Sequence, residues 1–283
     1  MEVTVAKSAG FCFGVKRAVD MVYDIIEKKD GPIYTYGPII HNDTVVSEMR
    51  ELGVTVMEED SDKSYEPGTV ILRSHGVSKA VHDGLVAAGH TVIDATCPFV
   101  KKIHNIVREH SLNGEYILIV GNPVHPEIIG ITGWIEGNDY KVISSHDEAE
   151  AFVLDENRPI CIVSQTTFNH NKFDEIVEII GKKGYYVSVL NTICDATHTR
   201  QTEAAKIASE VDAMVVIGDV KSSNSQKLFE ICKKECNNTY FVGSLRDLDV
   251  SLLQSVGHVG ITAGASTPNK LIEEVQNNVR NEL

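Results

Sequence analysis

The 283-residue chain predicts an α/β protein of three similar lobes with mostly parallel sheets, set with pseudo-threefold symmetry about a common centre. Three observations predict it. Cys12, Cys97 and Cys194 each close a strand-like segment and open an amphipathic helix. Each is followed, 25, 24 and 24 residues on, by a glycine that ends an apolar strand: Tyr34-Thr35-Tyr36-Gly37, Ile117-Leu118-Ile119-Val120-Gly121 and Val215-Val216-Ile217-Gly218. Four residues past each glycine a polar group starts the next helix, namely His41, His125 and Ser222. Three such coincidences in register mark an internal repeat.

The first repeat covers 13–96. A helix of about four turns leads to the strand ending at Gly37, then to the polar turn His41-Asn42-Asp43 and a helix. A further strand and a connector follow; the charge run 58–63 in that connector reads as a solvated loop. The next strand opens into Ser74-His75-Gly76 and a helix, and a last strand, Thr91 to Asp94, delivers Cys97. The second repeat, 97–193, has the same order, with turns His125-Pro126-Glu127 and Gln165-Thr166-Thr167 and a last strand from Tyr185 to Leu190. The third, 194–283, has turns Ser222-Ser223-Asn224 and Gly264-Ala265-Ser266-Thr267 but no last strand. The unused strand Val3 to Ala6, within 1–12, is predicted to complete that lobe. Strands alternating with helices imply α/β lobes with largely parallel sheets.

Composition narrows the function. Forty acidic against 26 basic residues give a net charge of −14, which disfavours nucleic acid and anionic membrane surfaces as partners. No apolar run approaches the roughly 20 residues of a membrane helix, and the N-terminus does not read as a signal peptide, so a cytoplasmic setting is expected. Six cysteines without a CxxC pair argue against a zinc ribbon or a thioredoxin-type motif.

Ligands of open α/β sheets bind at the carboxyl ends of the strands, where helix N-termini point. Lobes facing one axis would gather the three cysteines and six polar turns there. Thiolates at helix N-termini are favoured by the macrodipole and suit metal ligation. Without CxxC spacing, three suit an iron–sulfur cluster better than mononuclear zinc. A 4Fe-4S cluster normally takes four cysteines, so three would leave one iron open to a substrate oxygen. Turns rich in Ser, Asn and Gly offer backbone N–H groups to phosphate, and His41, His75 and His125 would supply positive charge. So many donors suit a diphosphate. Glu127 is the carboxyl placed to deliver protons, with Asp43 the weaker candidate.

At these residues the chain resembles a known family. Ala9-Gly10-Phe11-Cys12-Phe13-Gly14-Val15, Gly37-Pro38-Ile39-Ile40-His41-Asn42, Arg73-Ser74-His75-Gly76-Val77, Asp94-Ala95-Thr96-Cys97-Pro98 and His125-Pro126-Glu127 are similar to the LytB/IspH family of 4-hydroxy-3-methylbut-2-enyl diphosphate reductases. So are Gln165-Thr166-Thr167, Asn191-Thr192-Ile193-Cys194 with Arg200-Gln201, Ser222-Ser223-Asn224-Ser225 and Thr262-Ala263-Gly264-Ala265-Ser266. The resemblance implies the last step of the non-mevalonate isoprenoid pathway, a two-electron, two-proton reductive dehydroxylation giving isopentenyl and dimethylallyl diphosphate. By position, it implies that Cys12, Cys97 and Cys194 hold one 4Fe-4S cluster with one open iron. His41, His75, His125, Thr166, Ser222, Ser223, Asn224 and Ser266 would bind substrate. Thr166 and Glu127 would contact its hydroxyl, with Glu127 as proton donor. No GxGxxG fingerprint follows a strand, so electrons are expected from a ferredoxin or flavodoxin.

The remaining cysteines have plainer readings. Cys161 reads as core, and of Cys232 and Cys236 on one helix, one is expected to face the core and the other solvent. Trp134 reads as helix packing. Lys16, Arg17, Lys101 and Lys102 read as a solvated face, some of it expected to help dock an acidic electron donor. A hydro-lyase using an open iron and an iron–sulfur sensor are the rival functions.

Overall fold

The computed structural model describes residues 2–28, 31–59, 63–154, 158–254 and 256–282. Asp60, Ser61 and Asp62 of the charge run lie outside the described residues. The chain divides into two compact units, one of 1–16, 41–45 and 194–283, the other of 17–40 and 46–193.

In chain order the elements are β1 (Glu2–Val5), α1 (Phe13–Lys28), β2 (Ile33–Tyr36), α2 (Asp43–Glu51), β3 (Val54–Met57), β4 (Thr69–Leu72), α3 (Lys79–Ala87), β5 (Thr91–Asp94) and α4 (Pro98–Leu112). There follow β6 (Tyr116–Val120), α5 (Pro126–Thr132), β7 (Tyr140–Ile143), α6 (His146–Glu150), β8 (Ile160–Ser164), α7 (His170–Lys182) and β9 (Val187–Val189). The chain closes with α8 (Asp195–Glu210), β10 (Ala213–Ile217), α9 (Ser223–Glu235), β11 (Thr239–Val242), β12 (His258–Ala263) and α10 (Asn269–Glu282).

Among the described residues the strands form three parallel four-stranded sheets, ordered β3-β2-β4-β5, β7-β6-β8-β9 and β11-β10-β12-β1. The first two sheets lie in the larger unit and the third in the smaller. β1 takes in the third sheet the edge place that β5 and β9 hold in the others, with Val3 opposite Val259.

Helical crossovers cover both faces of a parallel sheet, so its central strands are apolar throughout. In the second sheet Leu118, Val120, Ile160 and Ile162 pack with Phe173 and Ile176 of α7. The alternate residues Ile117, Ile119, Cys161 and Val163 pack with Ile103 of α4 and Ile128 of α5. The third sheet splits the same way, Val215 and Ile217 to one side, Met214 and Val216 to the other. The glycine ending β10 has a packing cause: a Cβ on Gly218 would lie 2.3 Å from Ser225 Oγ in α9. No helix among the described residues is long and apolar enough to cross a membrane.

Two expectations need correcting. Cys232 and Cys236 are both buried: Cys236, the cap that ends α9, still donates its N–H to the Cys232 carbonyl at 2.8 Å, and both pack in the cluster of Ala204, Met214 and Val216. Arg17 is not a solvated charge; it is half-buried and donates from a guanidinium nitrogen to the Thr96 carbonyl at 3.2 Å, bracing the turn before Cys97. Lys101 is exposed and pairs with Asp94 at 2.6 Å, and Lys102 is exposed.

Candidate active site

Each of the three cysteines takes the same local place. The carbonyls of Cys12, Cys97 and Cys194 accept the first intrahelical bonds of α1, α4 and α8, from Lys16, Lys101 and His198, at 2.9–3.0 Å. Cys97 and Cys194 are helix N-caps whose side chains make no capping bond, and all three thiols are half-buried and outside disulfides. Pro98 at the first helical position fixes the entry of α4.

In the smaller unit Cys194 lies within electrostatic reach of Cys12. Burial pushes the Cys194 thiol up and the Cys12 charge adds to that, while the Ala196 and Thr197 N–H groups pull it down. The buried Arg200 lies within electrostatic reach of both cysteines and donates to the Gly10 carbonyl, holding the turn that carries Cys12. Two half-buried thiols, at least one of them disfavoured as an isolated anion, suit a shared cationic group such as an iron cluster. Cys97, in the larger unit, is fixed by its own N–H bond to the Ser74 carbonyl at 3.0 Å.

The residues of the smaller unit expected to bind an anion gather at the starts of α2 and α9. Asn42 caps α2, its Oδ1 accepting from Val45 N at 3.0 Å, and its Nδ2 donates to the Ser266 carbonyl at 3.0 Å. Ser266 Oγ donates to the His41 carbonyl at 2.9 Å. Ser222 caps α9 through Ser225 N. The buried Asn224 has neither side-chain polar atom hydrogen-bonded among the described residues, and the buried Ser225 Oγ is also unpartnered. Each such group costs about 1–3 kcal/mol unless a partner arrives, so this helix start fits a bound oxyanion. Asp43 drops out as a proton donor: it is exposed and paired with Lys221 at 2.8 Å.

The larger unit holds Glu127, the carboxyl expected to deliver protons. His125 caps α5, with Pro126 next, and its Nδ1 accepts from Glu127 N at 3.1 Å. That bond occupies Nδ1 at the start of α5 and sets the orientation of the His125 ring. Its ring meets that of His75 edge to face, centroids 5.5 Å apart. Glu127 is 1% exposed. Thr166 donates to it twice, from its backbone N to Oε1 at 2.6 Å and from Oγ1 to Oε2 at 2.7 Å. Burial outweighs those two bonds and pushes the Glu127 carboxyl up to about 7. Gln165 steadies the turn by accepting from Asn122 N at 3.1 Å.

Sequence reasoning missed the residues behind His75. His104 is buried and held neutral, its pKa pushed down to about 4 by desolvation. It stacks on Trp134 at 5.2 Å, and Trp134 Nε1 donates to the Val77 carbonyl at 2.9 Å. Gly76 has φ +76°, and a Cβ there would lie 2.7 Å from His104 Cε1. Gly76→Ala should therefore destabilise the fold by about 1–3 kcal/mol and displace His75. A denaturation midpoint equal to that of the parent would show that the turn yields freely.

The family model described as LytB protein matches residues 3–280. The chain belongs to the LytB family. LytB proteins are iron–sulfur enzymes. A relative from Thermoanaerobacter sp. (strain X514), named 4-hydroxy-3-methylbut-2-enyl diphosphate reductase, is 46% identical over 282 residues, 99% of this chain and 97% of that one. A Clostridioides difficile (strain 630) LytB relative of the same name is 43% identical, with 97% and 98% covered. The solved E-1-hydroxy-2-methyl-but-2-enyl-4-diphosphate reductase from Plasmodium falciparum matches with a TM-score of 0.93 at 27% identity, covering 99% of this chain and 88% of that one. A second structure, described as the terminal enzyme of the non-mevalonate pathway, matches with a TM-score of 0.72 at 38% identity over the whole of both chains.

Proposed function

We propose that this LytB protein is a cytoplasmic reductase converting 4-hydroxy-3-methylbut-2-enyl diphosphate to isopentenyl and dimethylallyl diphosphate. The three sheets are read as the cores of lobes 13–96, 97–193 and 194–283, the last completed by 1–12. The observation that carries the reading is the Glu127–Thr166 pair, a carboxyl buried enough to keep its proton near neutral pH and tied to a hydroxyl at 2.7 Å.

Cys12, Cys97 and Cys194 would hold a 4Fe-4S cluster. When bound, it supplies two electrons, delivered by a ferredoxin or flavodoxin, and a Lewis-acidic iron without a protein ligand. The chain's own residues do the rest. Ser222, Ser223, Asn224 and Ser266, with His41, His75 and His125, bind the diphosphate; the unpartnered Asn224 amide supports this most directly. Pinning that end orients the substrate hydroxyl. A hydroxyl both donates and accepts, so Thr166 Oγ1 can contact the substrate oxygen while taking a proton from Glu127 Oε2. The proton then leaves with the departing hydroxyl as water.

Burial favours the neutral carboxyl, so Glu127 holds its proton below about pH 7 and loses it above. The kcat/KM profile should fall as pH rises through about 7, and Glu127→Gln should lose that limb. An unaltered limb in the variant would assign it to another group. The proposal as a whole is tested by anaerobic turnover of the hydroxylated diphosphate with a reduced viologen. Two reducing equivalents consumed per product support the reductase. Dehydration without oxidation of the viologen would identify a hydro-lyase instead.

A further inference from the structure

A second group of ligating side chains lies toward the amino ends of β6 and β8, the ends opposite the Glu127 turn. α4 ends in a Schellman motif: Gly114, at φ +78°, donates to the Ser111 carbonyl at 3.0 Å, and Glu115 N donates to the His110 carbonyl at 3.1 Å. This motif brings the side chains at 110 and 115 together, normally as an apolar contact. Here they are a histidine and a glutamate, His110 Nδ1 lying 2.8 Å from a Glu115 carboxylate oxygen. The residue beneath them is Cys161, fully buried on β8 and paired in register with Ile117 of β6. The ring nitrogen, the carboxylate oxygen and the sulfur all lie within 4.8 Å of one another.

An ordinary His–Glu ion pair does not account for this cluster. Glu115 Oε2 is buried without a hydrogen-bond partner among the described residues, although a carboxylate oxygen left so carries a desolvation cost. Cys161 is a free thiol beside it. We propose that His110, Glu115 and Cys161 bind one divalent ion of the zinc type, tying the end of α4 to β8.

The donor set decides the class of ion. One imidazole nitrogen, one carboxylate oxygen and one thiolate form a mixed N, O and S set that zinc takes and that magnesium or calcium does not. Charge also balances: a dication, one thiolate and one carboxylate with a neutral imidazole sum to zero, which a largely buried site tolerates. On binding, the Cys161 S–H bond breaks, its proton passes to solvent and the sulfur lone pair forms the metal bond. Water fills the fourth position. His110 and Glu115 are only half-buried, so small rotations of their side chains bring the ligands to bond lengths of about 2.0–2.3 Å.

The test uses the anaerobically purified, cluster-loaded protein, incubated with one equivalent of zinc chloride, desalted and analysed for zinc and iron. The expected result is about one zinc per chain, falling more than tenfold in both Cys161→Ser and His110→Ala with iron unchanged. Absorption spectroscopy at the zinc edge should show a single sulfur among nitrogen and oxygen ligands. Failure to retain zinc, equal retention in both variants, or a shell of three sulfurs would overturn the site, the last by placing zinc on the cluster cysteines. Should Cys161→Ser not fold, His110→Ala decides alone, since its position is partly open to solvent.

Discussion

Glu127→Gln is expected to keep its iron and its affinity for substrate while turning over about 10²–10⁴-fold more slowly. The amide matches the carboxyl in shape, and its Oε1 can still accept from Thr166 N, now placed 2.6 Å away. Its Nε2 can donate to Thr166 Oγ1, so the turn stays tied together. What is lost is the transferable proton, which burial keeps on the carboxyl up to about pH 7. Pre-steady-state turnover and substrate titration, measured on one preparation, separate the two quantities. A variant within threefold of the parent in kcat would remove Glu127 from proton delivery.

Asn224→Asp is the second large effect. Asn224 is 4% exposed at the first turn of α9, and neither of its amide atoms has a partner among the described residues. Aspartate keeps the size and replaces a donor with a charge that repels an oxyanion. Desolvated like charges are costly, so kcat/KM should fall about 10²–10³-fold, chiefly through KM, with iron content unchanged. A parental KM would place the diphosphate elsewhere.

Much of this was legible in the sequence because a repeat is a spacing, and spacing survives translation into structure. Glycines at a near-constant distance from Cys12, Cys97 and Cys194 end β2, β6 and β10, the second-place strands of their sheets. The same pattern left one strand over, and β1 pairs with β12. Harder to read were features that depend on what meets across the chain. Thr166 and Glu127 are 39 residues apart, and only the alignment of β6 with β8 brings their turns together. Burial, which sets the Glu127 pKa, has no local sequence signal. Arg17 looked like surface charge because its acceptor, the Thr96 carbonyl, is 79 residues away. The helix cap made by His125 Nδ1 is likewise not displayed by the bare His125-Pro126-Glu127 motif.

The central claim is that Cys12, Cys97 and Cys194, and no other cysteine, hold a single cluster. Iron and acid-labile sulfide in anaerobically purified protein measure it directly. About four of each per chain are expected, with near-complete loss in Cys12→Ala, Cys97→Ala and Cys194→Ala. A parental iron content in any one of these three variants would contradict the account.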